Sequence, residues 1–410
     1  MLASAGCAVW TTYGYNIARS GVDPYTGSPV TPSQLWQTPA LDGPIYGQPL
    51  IYGSRVYVAT ENDSVYALDA ATGAIVWQRS IGTPVPSSQL PCGNIGPTVG
   101  ITSTPVIDIS SGRIFAVADT WDGSHASSIS HHLVGFNVND GSPAPGLPIT
   151  VDPPGSSPSA QLQRAALALD GSEVVIGYGG NSGDCSSYHG WLVGTPEDGS
   201  GPLRTFEADS AAGDRGGAIW GSGDGPVIDS SGDIYVATGN GYSSTYDGSE
   251  SVYRLDSSLN VLDHYTPANW LALDQSDQDI GSTEPLLLPG GLVFQIGKAG
   301  VGYLLSASHL GGTGGPGEPS LFHAAVCSGA YGASAYDNGV IYVPCADGLH
   351  ALSLNTSTPS FAAAPGWTVP PGGIAGSPII SGGMVWTVAW SSGQLLGLDP
   401  ASGAVKFSSN

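Results

Sequence analysis

Apolar and polar residues alternate along this chain in short runs that stop at turn-forming residues. The stretch VYALDAATGAIVWQRS, Val65 to Ser80, shows the pattern most fully. Its alternation predicts one strand, a tight turn and a second strand. Asp69 is placed to accept the turn's backbone N–H groups, and Gly73 to take a positive φ. Trp77 then offers a broad flat side chain to fill the gap between neighbouring sheets.

Seven segments can be laid under one another by a shared hairpin pattern. They begin at Gly47, Thr102, Arg164, Gly223, Thr283, Gly332 and Gly376. Each is a short apolar run, a turn of Gly, Asp, Asn or Ser, and a second β-branched or aromatic run. Asn338-Gly339 is the clearest two-residue turn among them. A second pair of strands follows, as in VYRLDSSLNVLDHY from Val252 and LLGLDPASGAVKFS from Leu395. Four strands per unit and a repeat of about fifty residues predict an all-β fold, a single β-propeller of four-stranded blades. The repeat count gives seven blades, with eight left open. Small residues at Gly47, Gly223, Gly332 and Gly376 suit a crowded axis. Gln34-Leu35-Trp36-Gln37 resembles the fourth-strand run Val76-Trp77-Gln78. The expected division is therefore 1–33 as an N-terminal signal remnant and opening segment, and 34–410 as the propeller, with strand 34–41 closing the ring.

Composition narrows the function. The net charge of −23 opposes a nucleic-acid partner, because phosphates require a basic face. Lysine and arginine together number 10, so the acidity reflects scarce cations and reads as a solubility feature. No apolar run is long enough to span a bilayer. Ala3-Ser4-Ala5 fits the small-residue site at which a signal peptide is cut, alongside the reading of an ordinary N-terminus. Five cysteines favour export, to a secreted, periplasmic or cell-surface location. Cys327 with Cys345, expected in one blade, and Cys92 with Cys185, expected in loops of adjacent blades, are the candidate disulfides, leaving Cys7 over. No haem-attachment or zinc-type spacing is present.

The repeats resemble those of the PQQ-repeat β-propellers, a family that holds quinoprotein alcohol dehydrogenases and also non-catalytic assembly scaffolds. The resemblance spans nearly the whole chain, including the opening WTTYGYNIARSG from Trp10. It is most specific in the middle. GGAIWGSGDGPVIDSSGDIYVATGNG, Gly216 to Gly241, resembles the dehydrogenase segment with the ring-stacking tryptophan and a metal-binding asparagine. That implies Trp220 as the floor under pyrroloquinoline quinone (PQQ) and Asn240 as a metal ligand. TPANWLALDQSDQDIGS, from Thr266, looks like the segment with the catalytic aspartate. It implies Asp277 as the base, and Asp279 as the extra carboxylate that lanthanide-using members place on the metal. QIGKAGVGYLL, from Gln295, looks like the strand whose basic residue contacts the quinone, which implies Lys298. Arg164 and Arg215 are further candidates for the quinone's carboxylates.

These residue types suit that chemistry. A tricyclic quinone needs an aromatic floor. Calcium or a lanthanide takes hard oxygen donors and polarises a carbonyl. A carboxylate takes the alcohol proton, and a cation offsets charge on the reduced ring. The sequence departs from the dehydrogenase pattern in three places. Ser276 stands where tryptophan precedes the aspartate, no adjacent cysteine pair exists, and Asp184-Cys185 stands where a glutamate ligand would fall.

Each residue also has a structural role open to it. Trp220 could pack between blades, Thr238-Gly239-Asn240-Gly241 could be a turn, Asp277 and Asp279 could cap a loop or hold a structural cation, and Gly297-Lys298-Ala299-Gly300 could be a hairpin turn. His131-His132 and Tyr188-His189-Gly190-Trp191, in loops or strand starts, are weaker candidates for sugar or metal. Three functions follow. One is an exported dehydrogenase oxidising an alcohol or sugar with PQQ, a metal ion and a separate electron acceptor. The second is a non-catalytic propeller that binds a protein or glycan. The third is a propeller keeping only a structural cation.

Overall fold

The computed structural model describes residues 8–24, 32–210, 213–315, 317–370 and 372–409. The chain divides into two compact units, Met1–Tyr13 with Gln34–Glu207, and Gly14–Ser33 with Ala208–Asn410. Met1 to Ala5, on which the signal-remnant reading rests, and Cys7 lie outside the described residues.

Among the described residues, three sheets of four or five strands build the first unit, beside a two-stranded one of Val85–Pro86 and Thr98–Val99. The first joins Leu50–Gly53, Arg55–Thr60, Ser64–Asp69 and Ile75–Ser80, with Ala8–Trp10 added beside Leu50–Gly53. The second and third are centred on Arg113–Thr120 with Ser130–Asn137, and on Glu173–Gly180 with Trp191–Pro196. Four more sheets build the second unit. Their first two strands are Val227–Ile228 and Ile234–Ala237, Leu286–Leu288 and Leu292–Gln295, Ala335–Asp337 and Val340–Cys345, and Ile379–Ser381 and Met384–Ala389. Every one of the seven aligned segments thus forms a hairpin, and no eighth four-stranded sheet occurs among the described residues.

The turns follow from local chemistry. Asp69 Oδ1 accepts the N–H groups of Ala71 at 3.1 Å and Thr72 at 3.0 Å, and Gly73 takes a φ of +72°. The same device returns at Asp399, with Gly403 at +69°. Asn338 and Gly339 both have positive φ, the geometry that matches strand twist in a two-residue hairpin. The aligned glycines do not act alike. A Cβ at Gly47 would come within 2.8 Å of the Ser103 carbonyl, whereas one at Gly223 would meet nothing within 4 Å. Gly223 is required by its φ of +97° instead of by crowding.

Trp77 is buried in the first unit against Tyr57 and Phe136, and its Nε1 donates at 3.1 Å to the carbonyl of Val138, in the turn after the second sheet's strand Ser130–Asn137. Trp77→Ala should cost about 3–5 kcal/mol, from lost burial and the cavity left behind. Denaturant titration measures it, and a loss under about 1 kcal/mol would remove Trp77 as a packing anchor.

The opening of the chain differs from expectation. Residues 34–41 form no strand. Pro39 lacks an N–H to pair, and Trp36 anchors the segment through its side chain, with Nε1 donating to the Ala70 carbonyl at 2.9 Å and its ring beside Gly73. In the second unit the segment before Pro24 runs along several first strands. Ile17, Ser20 and Gly21 carbonyls accept the N–H groups of Ile228, Tyr336 and Ile380. Arg19 is buried there, 3.9 Å from Asp224. The opening segment is thus part of the β-structure.

Both candidate disulfides form, Cys92–Cys185 and Cys327–Cys345. Cys327 belongs to the loop after Phe322–Ala325 of the fifth sheet, so its bond to Cys345 joins two sheets, where one blade was expected to hold both.

Candidate functional site

Loops at the ends of the fourth and fifth sheets carry the five residues singled out in the middle of the chain, all within the second unit. Trp220 stands before the turn Gly221–Gly223, and Asn240 follows Ile234–Ala237. Asp277 and Asp279 follow the short helix Trp270–Gln275. Lys298 tips the hairpin between Leu292–Gln295 and Val301–Ser306.

One polar network joins them. Lys298 Nζ lies 2.6 Å from Asp277 Oδ1 and 2.9 Å from Asp279 Oδ1. Asn240 Nδ2 donates to Asp277 Oδ1 at 2.8 Å. Trp220 Nε1 donates to Asp279 Oδ2 at 3.1 Å, and Lys298 Nζ sits 5.4 Å from the centroid of the Trp220 ring. The two carboxylates are presented differently: the Asp277 side chain is 72% exposed and that of Asp279 5%.

Glycines allow this convergence. A Cβ at Gly239 would lie 2.7 Å from Asp279 Oδ2, and one at Gly281 would lie 2.5 Å from the Gly239 nitrogen. The Lys298 N–H is held by the Asp279 carbonyl at 3.0 Å, which ties the hairpin to the aspartate loop. Asp277 has a φ of +53°, a left-handed conformation that aspartate tolerates better than most side chains.

Burial dominates the electrostatics. It raises the Asp279 carboxyl above its ordinary value, against the pull of Lys298. Burial also disfavours the Lys298 ammonium, but Asp279 and Asp277 more than offset that and hold its pKa above the usual lysine range. Behind them, Glu250 is fully buried and its Oε2 accepts the Ile280 N–H at 2.9 Å. Burial, with repulsion from Asp279, raises it well above a normal glutamate. Asp274 accepts the Gly241 N–H at 2.9 Å and is pushed up to about 6, mainly by burial. Sequence reasoning passed over Glu250 and Asp274. The only signal for Asp274 was its place three residues before Asp277, and Glu250 carried none.

The other candidates are placed elsewhere. Arg215 stacks over Tyr242, 4.3 Å from its ring centroid. Arg164 is in the first unit, with Tyr46, Tyr13 and Glu61 as electrostatic neighbours. His131 and His132 lie at the start of the strand Ser130–Asn137, one of the two placements expected. His131 is buried, with Nδ1 2.6 Å from Asp152 and Nε2 3.4 Å from Asp119. Tyr188 and Trp191 are buried, so neither offers a face for sugar, and His189 pairs with Glu207 at 3.4 Å. Asp347 lies beside Cys327 and Cys345, whose disulfide leaves no thiolate for a metal.

A pH dependence of stability follows. Burial pushes Asp119, Asp224 and Asp274 each up to about 6, so the folded chain binds more protons than the unfolded chain between about pH 4 and 6. Their contribution is complete below the unfolded pKa and is lost as pH rises through the folded one. His131, also raised, acts the same way, while His132 and His264, lowered by burial, oppose it. In chelator the protein should melt at a higher temperature at pH 5 than at pH 8. Thermal scans across that range check this, and a rising trend would contradict these assignments.

Residues 25–181 match the family model described as outer membrane protein assembly factor BamB, of PQQ type. No curated protein matches the chain. Among solved structures, a quinohemoprotein alcohol dehydrogenase from Pseudomonas putida is 14% identical, with a TM-score of 0.68 over 98% of this chain and 72% of that one. The corresponding enzyme from Comamonas testosteroni is 15% identical, with a TM-score of 0.66 over 99% and 74%. BamB from Moraxella catarrhalis is 13% identical, with a TM-score of 0.56 over 90% and 88%. At these identities the likeness carries the fold.

Proposed function

This chain is a seven-bladed PQQ-repeat β-propeller, and from that premise we propose that its second unit holds a quinoprotein-type site oxidising an alcohol or sugar. One observation carries the reading. A single network joins an exposed carboxylate, a buried carboxylate, an ammonium, an amide and an indole, and those are the groups such a reaction requires.

The residues fit the cofactors by charge and donor type. Asp277 and Asp279 share one ammonium, so the cluster keeps a net negative charge. Buried Asn240 Oδ1 has no hydrogen-bond partner among the described residues, and such an acceptor calls for an ordered water or an ion. Asn240 and Asp279 would ligate calcium or a lanthanide through hard oxygens, and Trp220 would floor PQQ. A bound quinone supplies the hydride acceptor, and the cation a Lewis acid.

The chain's own groups do the rest. Lys298 and Asn240 both bond Asp277 Oδ1, which fixes the carboxylate and leaves Oδ2 to take the hydroxyl proton. The bond to Asp279 sets the orientation of the Trp220 ring. Lys298 keeps positive charge at the site, where it stabilises the anion that develops as substrate is oxidised. The two disulfides suit an oxidising compartment outside the cytoplasm. Among the described residues no helix is long and apolar enough to cross a membrane.

The test is reconstitution of the purified protein with PQQ and either calcium or lanthanum, followed by dye reduction with a panel of alcohols and aldose sugars. Metal-dependent turnover supports the reading. No turnover with any substrate, despite bound PQQ, overturns the dehydrogenase assignment and favours a propeller that presents a protein- or glycan-binding surface.

A further inference from the structure

A buried aspartate with no hydrogen-bond partner among the described residues is the sharpest polar anomaly in the first unit. Asp63 is 0% exposed, and neither Oδ1 nor Oδ2 has a partner among the described residues. It sits in the turn between Arg55–Thr60 and Ser64–Asp69, in the left-handed region with a φ of +54°. Its backbone is fixed on both sides: the N–H donates to the Thr60 carbonyl at 3.1 Å and the carbonyl accepts the Ile81 N–H at 2.9 Å. The side chain is thus held inside the protein by a rigid turn. A buried carboxylate left this way is costly unless a proton or a cation completes it.

Glu61 supplies the second half. It too is 0% exposed. Its Oε2 accepts the Gly100 N–H at 2.8 Å and the Thr102 hydroxyl at 3.1 Å, while Oε1 has no partner among the described residues. Two donors therefore orient the carboxylate through one oxygen and leave the other open, the arrangement by which outer groups position a metal ligand. Gly100 makes room. A Cβ there would stand 2.8 Å from Asp63 Oδ1 and 2.7 Å from the Glu61 carbonyl oxygen, so both oxygens converge beside a residue that cannot block them.

The surrounding charge is negative. Repulsion from Asp119, Glu61 and Asp42 adds to burial in disfavouring ionised Asp63. Arg164 is a weaker neighbour of Glu61, and His131 lies with Asp119 and Asp152. Asp42 is occupied by the Thr60 and Ser64 hydroxyls.

We propose that Asp63 and Glu61 form a binding site for a divalent cation of the calcium class, within the first unit and independent of the quinoprotein-type site. Asp63 supplies both carboxylate oxygens, and Glu61 supplies Oε1 and its backbone carbonyl. All are hard oxygen donors, and water completes the six to eight ligands that calcium takes. Bound there, the ion pins the first sheet's turn to the Gly100 segment.

The experiment is calcium titration of chelator-treated protein by calorimetry, with melting temperature read alongside. Four proteins are compared: wild type, Asp63→Asn, Glu61→Gln and Asp279→Asn. The expected result is a wild-type calcium site whose occupancy raises the melting temperature. Its affinity falls at least tenfold in Asp63→Asn and in Glu61→Gln and is kept in Asp279→Asn. Two results overturn the proposal. One is wild-type protein that takes up no calcium and melts identically with and without it. The other is a folded Asp63→Asn or Glu61→Gln protein that binds with wild-type affinity and stoichiometry. If Asp63→Asn fails to fold, Glu61→Gln decides alone. Loss of binding in Asp279→Asn with retention in Asp63→Asn assigns the ion to the other cluster and also counts against the proposal.

Discussion

Asp277→Asn lowers alcohol-dependent dye reduction by about 10²- to 10⁴-fold, the loss typical of a removed general base, and leaves the fold unchanged. The substitution isolates chemistry from structure. The side chain is 72% exposed, so little packing depends on it. Its φ of +53° is one that asparagine also tolerates. The amide oxygen can still accept the bonds from Lys298 and Asn240, which now fall on Asp277 Oδ1. Only the capacity to take a proton is lost. Steady-state rates of reconstituted protein measure the effect. A variant with wild-type turnover would remove Asp277 as the base.

Lys298→Met has an expected effect on stability as large as that of Trp77→Ala. Lys298 Nζ is the counter-charge for Asp279, whose side chain is 5% exposed. Removing one partner of a buried pair leaves an uncompensated charge and costs about 3–5 kcal/mol. The exposed Asp277 adds little to that figure, because solvent screens it. Asp279→Asn in the same chain removes the stranded charge, so the double variant should recover much of the loss. Denaturant titration of both single variants and the double variant gives the coupling directly. Additive losses would show that the pair is not the stabilising element.

Much of the fold was legible because its signals are local. The Asp69 to Gly73 turn, the Asn338-Gly339 hairpin and the alternation around them each depend on a few neighbouring residues. The site was legible in another way. Trp220, Asn240, Asp277, Asp279 and Lys298 were picked out by resemblance, and the structure brings their side chains into one network. What could not be read depends on tertiary placement. Alternation marks a strand but not its partner. Residues 34–41 therefore seemed to repeat a blade edge, while Ala8–Trp10 takes a place in the first sheet. His131 reads as a loop or strand-start candidate for sugar or metal, because nothing in its sequence neighbours reveals the buried carboxylates that flank it. Glu250 and Asp63 went unnoticed for the same reason. A buried acid is written in the sequence like an exposed one.

The most direct test of the quinoprotein-type site is equilibrium binding of PQQ to metal-free protein, repeated with calcium and with lanthanum. Absorbance and melting temperature are followed for wild type and for Trp220→Ala. The account predicts tight, metal-dependent binding with a raised melting temperature in wild type, and binding weakened by at least tenfold without the indole. No binding of PQQ to wild-type protein with either metal would contradict it.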